Sequence, residues 1–530
     1  DMKRYELIIV GAGPAGLSAA IEAAKRNMQV VVFDENSRPG GQLFKQIHKF
    51  FGSKEHKAKT RGFIIGEELL VQAKELGVEV ILNATVIGLY REKEVCVMQD
   101  GQLVHYKGDN IIVAAGAAEN MVTFRGWTLP GVIGAGAAQT MMNLHGVKPG
   151  ERILMVGSGN VGLVVSFQLL QAGCKVVGVI DAAKRIGGYG VHAAKLTRTG
   201  VPFYLSHTIV EAEGGDHVTG AVIAEVDDKW QTVPGTQKHL EADTICIAVG
   251  LSPMSQLVRM AGCETADDPR KGGLVPVCNE YGETSIPGIF AAGDVAGIEE
   301  ASSAMIQGRI AGLAAAERSG YLEEDEMSAL FLEANSSLSR LRQGMFSHTN
   351  KGRTDLTETD EGYRLSASLL SRGYVEDSEI QEFPCAVSHT PGVHPVIECT
   401  QNIPCNPCQD ACRFGCIRVG ETITSLPQIR EDTKCVGCGM CVANCSGQAI
   451  FLVDEDYDES HASITIPYEF LPLPEKGAAG TALSRSGDRL CRAVVSDVRS
   501  VKAMDHTNLV TMLVPKEFAG SARFIEFEEG

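Results

Sequence analysis

One pattern occurs twice in this 530-residue chain and fixes most of what its first half can become. The opening YELIIVGAGPAGLSAAIEAAKRNMQVVVFDENS reads as strand, glycine turn, helix and strand. Buried aliphatics stand at 7–10, glycines at 11, 13 and 16, a helix over 17–26, and a second strand over 29–33 ends at Asp34. Gly11 makes the tight turn, Gly13 lets the backbone approach a pyrophosphate, and Gly16 lets the helix pack on the strand. The helix N-terminus turns unpaired N–H groups toward the anion, and Pro14 and Ala15 between the glycines belong to the same cofactor-binding turn. Asp34, followed by Glu35, is positioned to accept from a ribose hydroxyl. The unit returns at ERILMVGSGNVGLVVSFQLLQAGCKVVGVIDAAKR. There Gly157, Gly159 and Gly162 take the glycine places, Asn160 opens the helix and Asp181 ends the strand. An acid at that point favours a free 2′-hydroxyl, and so NAD over NADP, although Arg185 lies four residues on. The other reading of the second unit is an inherited fold whose site is empty or holds a different adenine nucleotide.

Two segments join the units. IIVAAGAAE (111–119, with Gly116) and TICIAVGLSP (244–253) are strands ending in small residues, suited to crossing between nucleotide domains. IPGIFAAGDVAGIEEASSAMIQGRIAGLAAAE then offers a strand, Gly293 and Asp294, and a long helix from about residue 301. An acid beside a helix N-terminus can hold a flavin's ribityl hydroxyl while the helix dipole faces the ring. The stretch 153–174 carries no charge and is long enough to span a bilayer. Because it contains the GSGNVG turn, it reads as a buried strand and helix instead.

The cysteines carry the second signal. Nine of the 16 fall within the 47 residues from 399 to 445, and the other seven are scattered singly. Such clustering in a large chain reads as metal ligation in a reducing, cytoplasmic compartment rather than as a disulfide framework. CVGCGMCVANC has the Cys-x-x-Cys-x-x-Cys-x-x-x-Cys spacing of a bacterial ferredoxin cubane, with Cys435, Cys438, Cys441 and Cys445. ECTQNIPCNPCQDAC repeats it with a stretched first gap, at Cys399, Cys405, Cys408 and Cys412. Since the fourth cysteine of each run ligates the other cluster, Cys399, Cys405, Cys408 and Cys445 would hold one 4Fe–4S centre. Cys412, Cys435, Cys438 and Cys441 would hold the second. No proline follows either fourth cysteine, and Cys416 competes with Cys412. A single cubane on Cys412, Cys435, Cys438 and Cys441 is the main rival, and a tetrathiolate zinc site is a third reading.

Lys+Arg 48 against Asp+Glu 66 gives a net charge of −18, and such a surface repels phosphate backbones, so nucleic acid is not an expected partner. The segment 323–384 is charged and Ser/Thr-rich with helical stretches, as a partly helical linker would be. His389 and His394 in SHTPGVHP read as solvated loop residues near the cysteines. SITIPYEF, RAVVSDVRSV, NLVTMLV and ARFIEF alternate apolar and polar residues, which predicts a small antiparallel β domain.

Residues 1 to about 320 resemble the two-dinucleotide-domain flavoprotein reductases, the thioredoxin and glutathione reductase superfamily, through GAGPAG, PGGQL, GSGNVG and FAAGD. The resemblance implies FAD on Gly11, Gly13, Gly16, Asp34, Gly41, Gln42 and Asp294. It implies a second nucleotide on Gly157, Gly159, Gly162 and Asp181. It departs from that superfamily in having no redox-active cysteine pair near either unit, which rules out thiol exchange at the flavin. FRGWTLPGVIGAGAAQTMMNLHGVKPGERILMVGSGNVGL, IPCNPCQDAC and IPYEFLPLPEKG resemble the α subunits of heteromeric amino-acid dehydrogenases. That group includes dye-linked proline and hydroxyproline dehydrogenases, heterotetrameric sarcosine oxidase, opine oxidases and hydrogen cyanide synthase.

The expected fold is α/β. It comprises an FAD-binding domain at 1–115 and 268–322, an NAD-type domain at 116–267, the linker, a ferredoxin-like domain at 385–455 and a β domain at 456–530. The resemblance implies an electron-transfer subunit beside a catalytic FAD-containing β subunit that oxidises a proline-, hydroxyproline- or sarcosine-like amine. An FMN at the subunit interface and a small iron–sulfur subunit occur among such relatives. No base, nucleophile or carboxylate-binding arginine stands at a recognisable motif position, so no catalytic residue is assigned. The competing class is a self-contained NAD(P)H:ferredoxin-type oxidoreductase resembling the glutamate synthase small subunit. In that family the ferredoxin-like segment precedes the flavin domain, whereas here it follows.

Overall fold

The computed structural model describes residues 2–345, 347, 367–383, 385–386 and 391–527. Part of the linker, including 348–366, and His389 lie outside them. The chain divides into two compact units, Asp1–Glu119 with Gly250–Arg353 and Asn120–Val249 with Thr354–Gly530.

The first unit is built on a seven-stranded sheet. Glu79–Ile81, Val30–Phe33, Lys3–Val10 and Gln102–Val113 run parallel in that order, and Ile289–Ala291 also pairs parallel with Gln102–Val113. Glu94–Gln99 and Ala84–Leu89 extend the sheet antiparallel. The first strand is a continuous aliphatic run because both its faces are covered: Leu7 and Ile9 join one core cluster and Ile8 the other. The helix begins at Pro14 rather than 17, because proline is well suited to a first turn whose N–H groups have no intrahelical partner. It ends at Ala24 and packs on Ala301–Arg318 at backbone distance. A Cβ on Gly308 would lie 2.0 Å from the Ala15 carbonyl oxygen, and one on Gly312 would lie 2.5 Å from that of Ala19.

The second unit repeats the arrangement. Phe203–Leu205, Lys175–Asp181, Arg152–Val156, Thr244–Ile247 and Val132–Gly134 form a parallel sheet. The uncharged stretch at 153–174 resolves into the strand Arg152–Val156 and the helix Asn160–Gln171. Among the described residues, no helix is long and apolar enough to cross a membrane.

The same unit holds a seven-stranded antiparallel sheet. Its order is His394–Ile397, Ile450–Asp454, His461–Tyr468, Asn508–Pro515, Arg489–Arg499, Ala479–Ser484 and Ala522–Glu526. Strands from both sides of position 455 therefore share one ladder. The cysteine segment lies between the first two of these strands in sequence and contributes the short helices Pro407–Ala411 and Met440–Asn444.

Buried contacts fix this region to the parallel sheet's helices. The Gly190 N–H donates to Gln401 Oε1 at 2.8 Å, and a Cβ on Gly190 would meet Leu369 at 2.3 Å. Thr197 Oγ1 donates to the Gly373 carbonyl at 3.1 Å. Phe167 and Phe470 meet edge to face at 5.2 Å.

Candidate functional sites

The two glycine turns are built alike. The Gly11 N–H donates to the Phe33 carbonyl at 2.8 Å and that of Gly157 to the Ile180 carbonyl at 2.8 Å. Both glycines have positive φ, 103° and 111°. A Cβ on Gly11 would fall 2.3 Å from the Ala114 oxygen, and one on Gly157 would fall 2.1 Å from that of Ala248. Gly16 and Gly162 face the carbonyl oxygens of Gly11 and Gly157 with no room for a Cβ, at 1.8 and 2.2 Å. Only glycine satisfies both the backbone angle and the contact.

The acid after each second strand secures its turn. Asp34 accepts the Ala12 N–H at 2.7 Å and both the N–H and Nδ2 of Asn36 at 2.9 Å. Asp181 accepts the Ser158 N–H at 2.8 Å, its hydroxyl at 2.6 Å and the Ala183 N–H at 2.9 Å. A carboxylate has about four acceptor positions, so each keeps capacity for a ligand hydroxyl. Glu35 is exposed beside the first acid.

Around the first turn, the Gly40 N–H donates to the Ala12 carbonyl at 2.7 Å, which brings Gly41 against Gly13. A Cβ on Gly41 would stand 2.8 Å from the Gly13 Cα, and Gln42 is exposed just beyond. Gly116 has φ 73° and open space at its Cβ position. Gly293 has φ 81°, and its N–H donates to Gln307 Oε1 at 3.1 Å. Asp294 accepts the Glu299 N–H at 3.1 Å; burial raises its carboxyl to about 6. Its neighbour Glu299 is held by Arg342 at 2.6 Å.

At the second turn Gly159 is open, with nothing near its Cβ position. Asn160 does not point its side chain into free space. Its Oδ1 accepts the Tyr189 N–H at 2.8 Å, while the Gly187 N–H donates to Ser158 Oγ at 3.1 Å. The Gly187 and Gly188 pair, which no sequence motif singles out, is what allows this loop to lie on the turn: a Cβ on Gly188 would be 2.9 Å from the Asn160 nitrogen.

A family model for pyridine nucleotide-disulphide oxidoreductases matches residues 5–308. The chain belongs to that family. Hydrogen cyanide synthase subunit HcnB of Pseudomonas aeruginosa is 30% identical over 379 residues, 65% of this chain and 78% of that protein. An opine oxidase subunit of Rhizobium meliloti is 30% identical over 334 residues, 59% of this chain and 62% of the relative. The thioredoxin reductase of T. acidophilum superposes over 60% of this chain and 99% of its own with a TM-score of 0.50 at 21% identity, a likeness of fold.

This oxidoreductase carries no cysteine pair at its nucleotide turns; Cys96, Cys174, Cys246 and Cys263 are buried thiols far apart in the sequence. Its clustered cysteines sort into two groups. Cys412, Cys435, Cys438 and Cys441 line one pocket, together with Cys416 and otherwise apolar neighbours such as Phe414, Val436 and Leu452. The Cys416 N–H donates to Cys412 Sγ at 3.2 Å, and the Gly437 N–H to Cys435 Sγ at 3.3 Å. Burial raises the thiols of Cys435 and Cys441, and their charged neighbours are the other cysteines of this pocket.

Cys399, Cys408 and Cys445 form the second group. Burial raises all three thiols, that of Cys408 to about 12, and each of Cys399 and Cys408 feels the charge of Cys445. Cys405 stands three residues before Cys408, its N–H bonded to the Ile423 carbonyl at 3.0 Å. Cys385, buried and single in the sequence, belongs beside Cys399. His394 opens a strand and its Nδ1 pairs with the Gly392 carbonyl at 3.0 Å. Among the described residues, no three His, Cys, Asp or Glu side chains converge to hold one metal ion.

Next to this second group lies a charged network that no motif announces. Glu398, just before Cys399, accepts from Arg523 Nε at 2.6 Å and Arg485 Nε at 2.7 Å. Burial alone would raise its carboxyl, but the two guanidiniums outweigh burial and hold it at about 2.

Proposed function

We propose that this oxidoreductase is the electron-transfer subunit of a heteromeric FAD-dependent amino-acid dehydrogenase. In that reading it binds FAD at the first glycine turn, NAD or another adenine nucleotide at the second, and two 4Fe–4S clusters on its cysteines. A partner flavoprotein subunit oxidises the amine, of proline, hydroxyproline or sarcosine type. The observation that carries the reading is the crosswise grouping of the cysteines. Cys412 leaves its own run to join Cys435, Cys438 and Cys441, and Cys445 leaves its run to join Cys399 and Cys408. That exchange of the fourth cysteine is what two cubanes of ferredoxin type require.

The residues present fit such groups. Each thiolate of a cubane binds its own iron at a separate corner, so four such cysteines need not converge as they would on a single zinc. The Thr400 hydroxyl is buried beside Cys399 without a hydrogen-bond partner, as a donor toward sulfide would be. Cys435 and Cys445 receive backbone N–H groups at 3.3 and 3.4 Å, which favour a charged sulfur. A bound flavin exchanges electron pairs with a nicotinamide and single electrons with an iron–sulfur centre, so together they couple two-electron and one-electron chemistry.

On the first unit, Gly13 and the N–H groups at the start of Pro14–Ala24 receive the pyrophosphate and Asp34 the ribose. Asp294 orients the ribityl chain. On the second unit, Gly157, Gly159, Gly162 and Asp181 hold the other nucleotide. Cys438 is exposed, with Phe414 and Val436 exposed around the same pocket, so that pocket is the accessible end for exchange with a partner. Both HcnB and the opine oxidase relative are named as subunits, which supports an assembly with other chains.

The test is to isolate the native complex anaerobically and titrate it with proline, hydroxyproline and sarcosine, following flavin absorbance and the EPR signal of reduced clusters. Reduction of both, only with a second flavoprotein subunit present, is the expected result. Full reduction of this chain by NADH alone, and by no amino acid in any complex, would overturn the reading in favour of a self-contained reductase.

A further inference from the structure

Arg198 closes the helix Gly190–Thr197 and is 6% exposed. Its Nη2 donates to the Gln448 carbonyl at 3.0 Å, and its guanidinium lies 5.2 Å from the centre of the Phe451 ring. Among the described residues no carboxylate is within ion-pairing distance of it.

Its surroundings add positive charge. Arg523 sits 5.3 Å from the same ring. Arg523 and Arg485 share Glu398, and the only further acid on Arg485 among the described residues is Asp377, whose side chain is 71% exposed. Three guanidiniums thus gather around one carboxylate, that of Glu398, whose side chain is 12% exposed. Glu398 is near enough to act on Arg198 but is already paired with two other guanidiniums, so the buried cation is under-compensated for its lost hydration. A carbonyl dipole and a ring quadrupole supply part of a charge and leave an excess.

The anion belongs at Cys445. Gln448, whose carbonyl holds Arg198, closes the turn that begins at this cysteine: its N–H donates to the Cys445 carbonyl at 3.0 Å, and the Ala449 N–H to Cys445 Sγ at 3.4 Å. A cysteine that ligates metal does so as the thiolate, so a cluster bound here brings its anionic sulfurs to this turn. A cubane with four thiolates carries net negative charge, which would match the excess.

We propose that Arg198 is the counter-charge of the cluster held by Cys399, Cys405, Cys408 and Cys445, and that it raises that cluster's reduction potential. The inference rests on the iron–sulfur reading above. Taking up one electron adds a negative charge beside Arg198, so the guanidinium favours the reduced state. A helix of the second nucleotide unit thereby tunes one cluster and leaves the other alone.

The experiment is an EPR-monitored dithionite titration of the anaerobically purified holoprotein, with iron and sulfide counted first, on wild type, Arg198→Met and Arg198→Lys. In Arg198→Met one cluster should lose at least tenfold in its reduction equilibrium, a fall of about 59 mV for a one-electron couple. The other cluster, and both clusters of Arg198→Lys, should stay within threefold of wild type. Full iron in Arg198→Met with both potentials unmoved overturns the inference while leaving the cluster reading intact. Loss of iron from both variants assigns Arg198 to the fold and also overturns it. A wild-type protein without iron or sulfide removes the cluster reading itself, a failure distinct from the other two.

Discussion

At the scale of single residues, two partly buried acids behave oppositely. Asp294 is raised to about 6 by burial, so the fold prefers its protonated form. The cost of ionising it is absent below its ordinary value of 3.8 and complete above about 6. With flavin removed, Asp294→Asn should therefore exceed wild type by roughly 2–3 kcal/mol at pH 7, the advantage fading as the pH falls to 4. Urea unfolding between pH 4 and 7 measures this; a difference that does not change with pH would contradict it. Glu398 is held down to about 2, so its contribution is present above the ordinary glutamate value of 4.5 and disappears as the pH falls through about 2. Glu398→Gln leaves Arg485 and Arg523 without their shared carboxylate and should cost about 3–5 kcal/mol at pH 7 in the same assay. Neither property is legible in the sequence. Asp294 could be placed by its Gly-Asp motif, but Glu398, Arg198, Arg485 and Arg523 are lone charges far apart in the chain, and their burial is a product of the fold.

At the scale of elements, the glycine motifs were readable because their spacing encodes a backbone contact. Gly11, Gly16, Gly157 and Gly162 meet carbonyl oxygens where no Cβ fits. The helix boundary was harder to read: Gly-Pro-Ala-Gly has low helix propensity, yet the turn imposes a helical start at Pro14. The strands His394–Ile397, Ala479–Ser484 and Ile450–Asp454 escaped a reading based on alternation. The first has only four residues, the second, AGTALS, is mostly small residues with little apolar contrast, and the last, IFLVD, is an apolar run without the period of two. Gly308 makes a contact of the same kind between two helices. Gly308→Ala should cost at least about 1–3 kcal/mol through overpacking and weaken FAD retention, whereas Gly520→Ala, with open space at its Cβ position, should be near neutral. Thermal unfolding and flavin content of the two variants check this; equal effects would contradict it.

At the scale of the whole molecule, the second nucleotide fold and the cysteine segment share one compact unit, tied through Gly190, Thr197 and Arg198. Metal bound at the cysteines should therefore be felt in the nucleotide fold. Removing iron should speed amide exchange in Gly190–Thr197 as well as in 399–449, and leave Pro14–Ala24 unchanged. Unaltered exchange in Gly190–Thr197 would show the two parts to be independent. The proposed function stands on one chain joining a flavin site to two iron–sulfur centres. Iron, acid-labile sulfide and FAD counted in the anaerobically purified chain, with EPR of the dithionite-reduced protein, decide whether it does. About eight iron and eight sulfide per FAD, with two reducible centres, is the expected outcome. Stoichiometric zinc, or flavin without iron and sulfide, would contradict it.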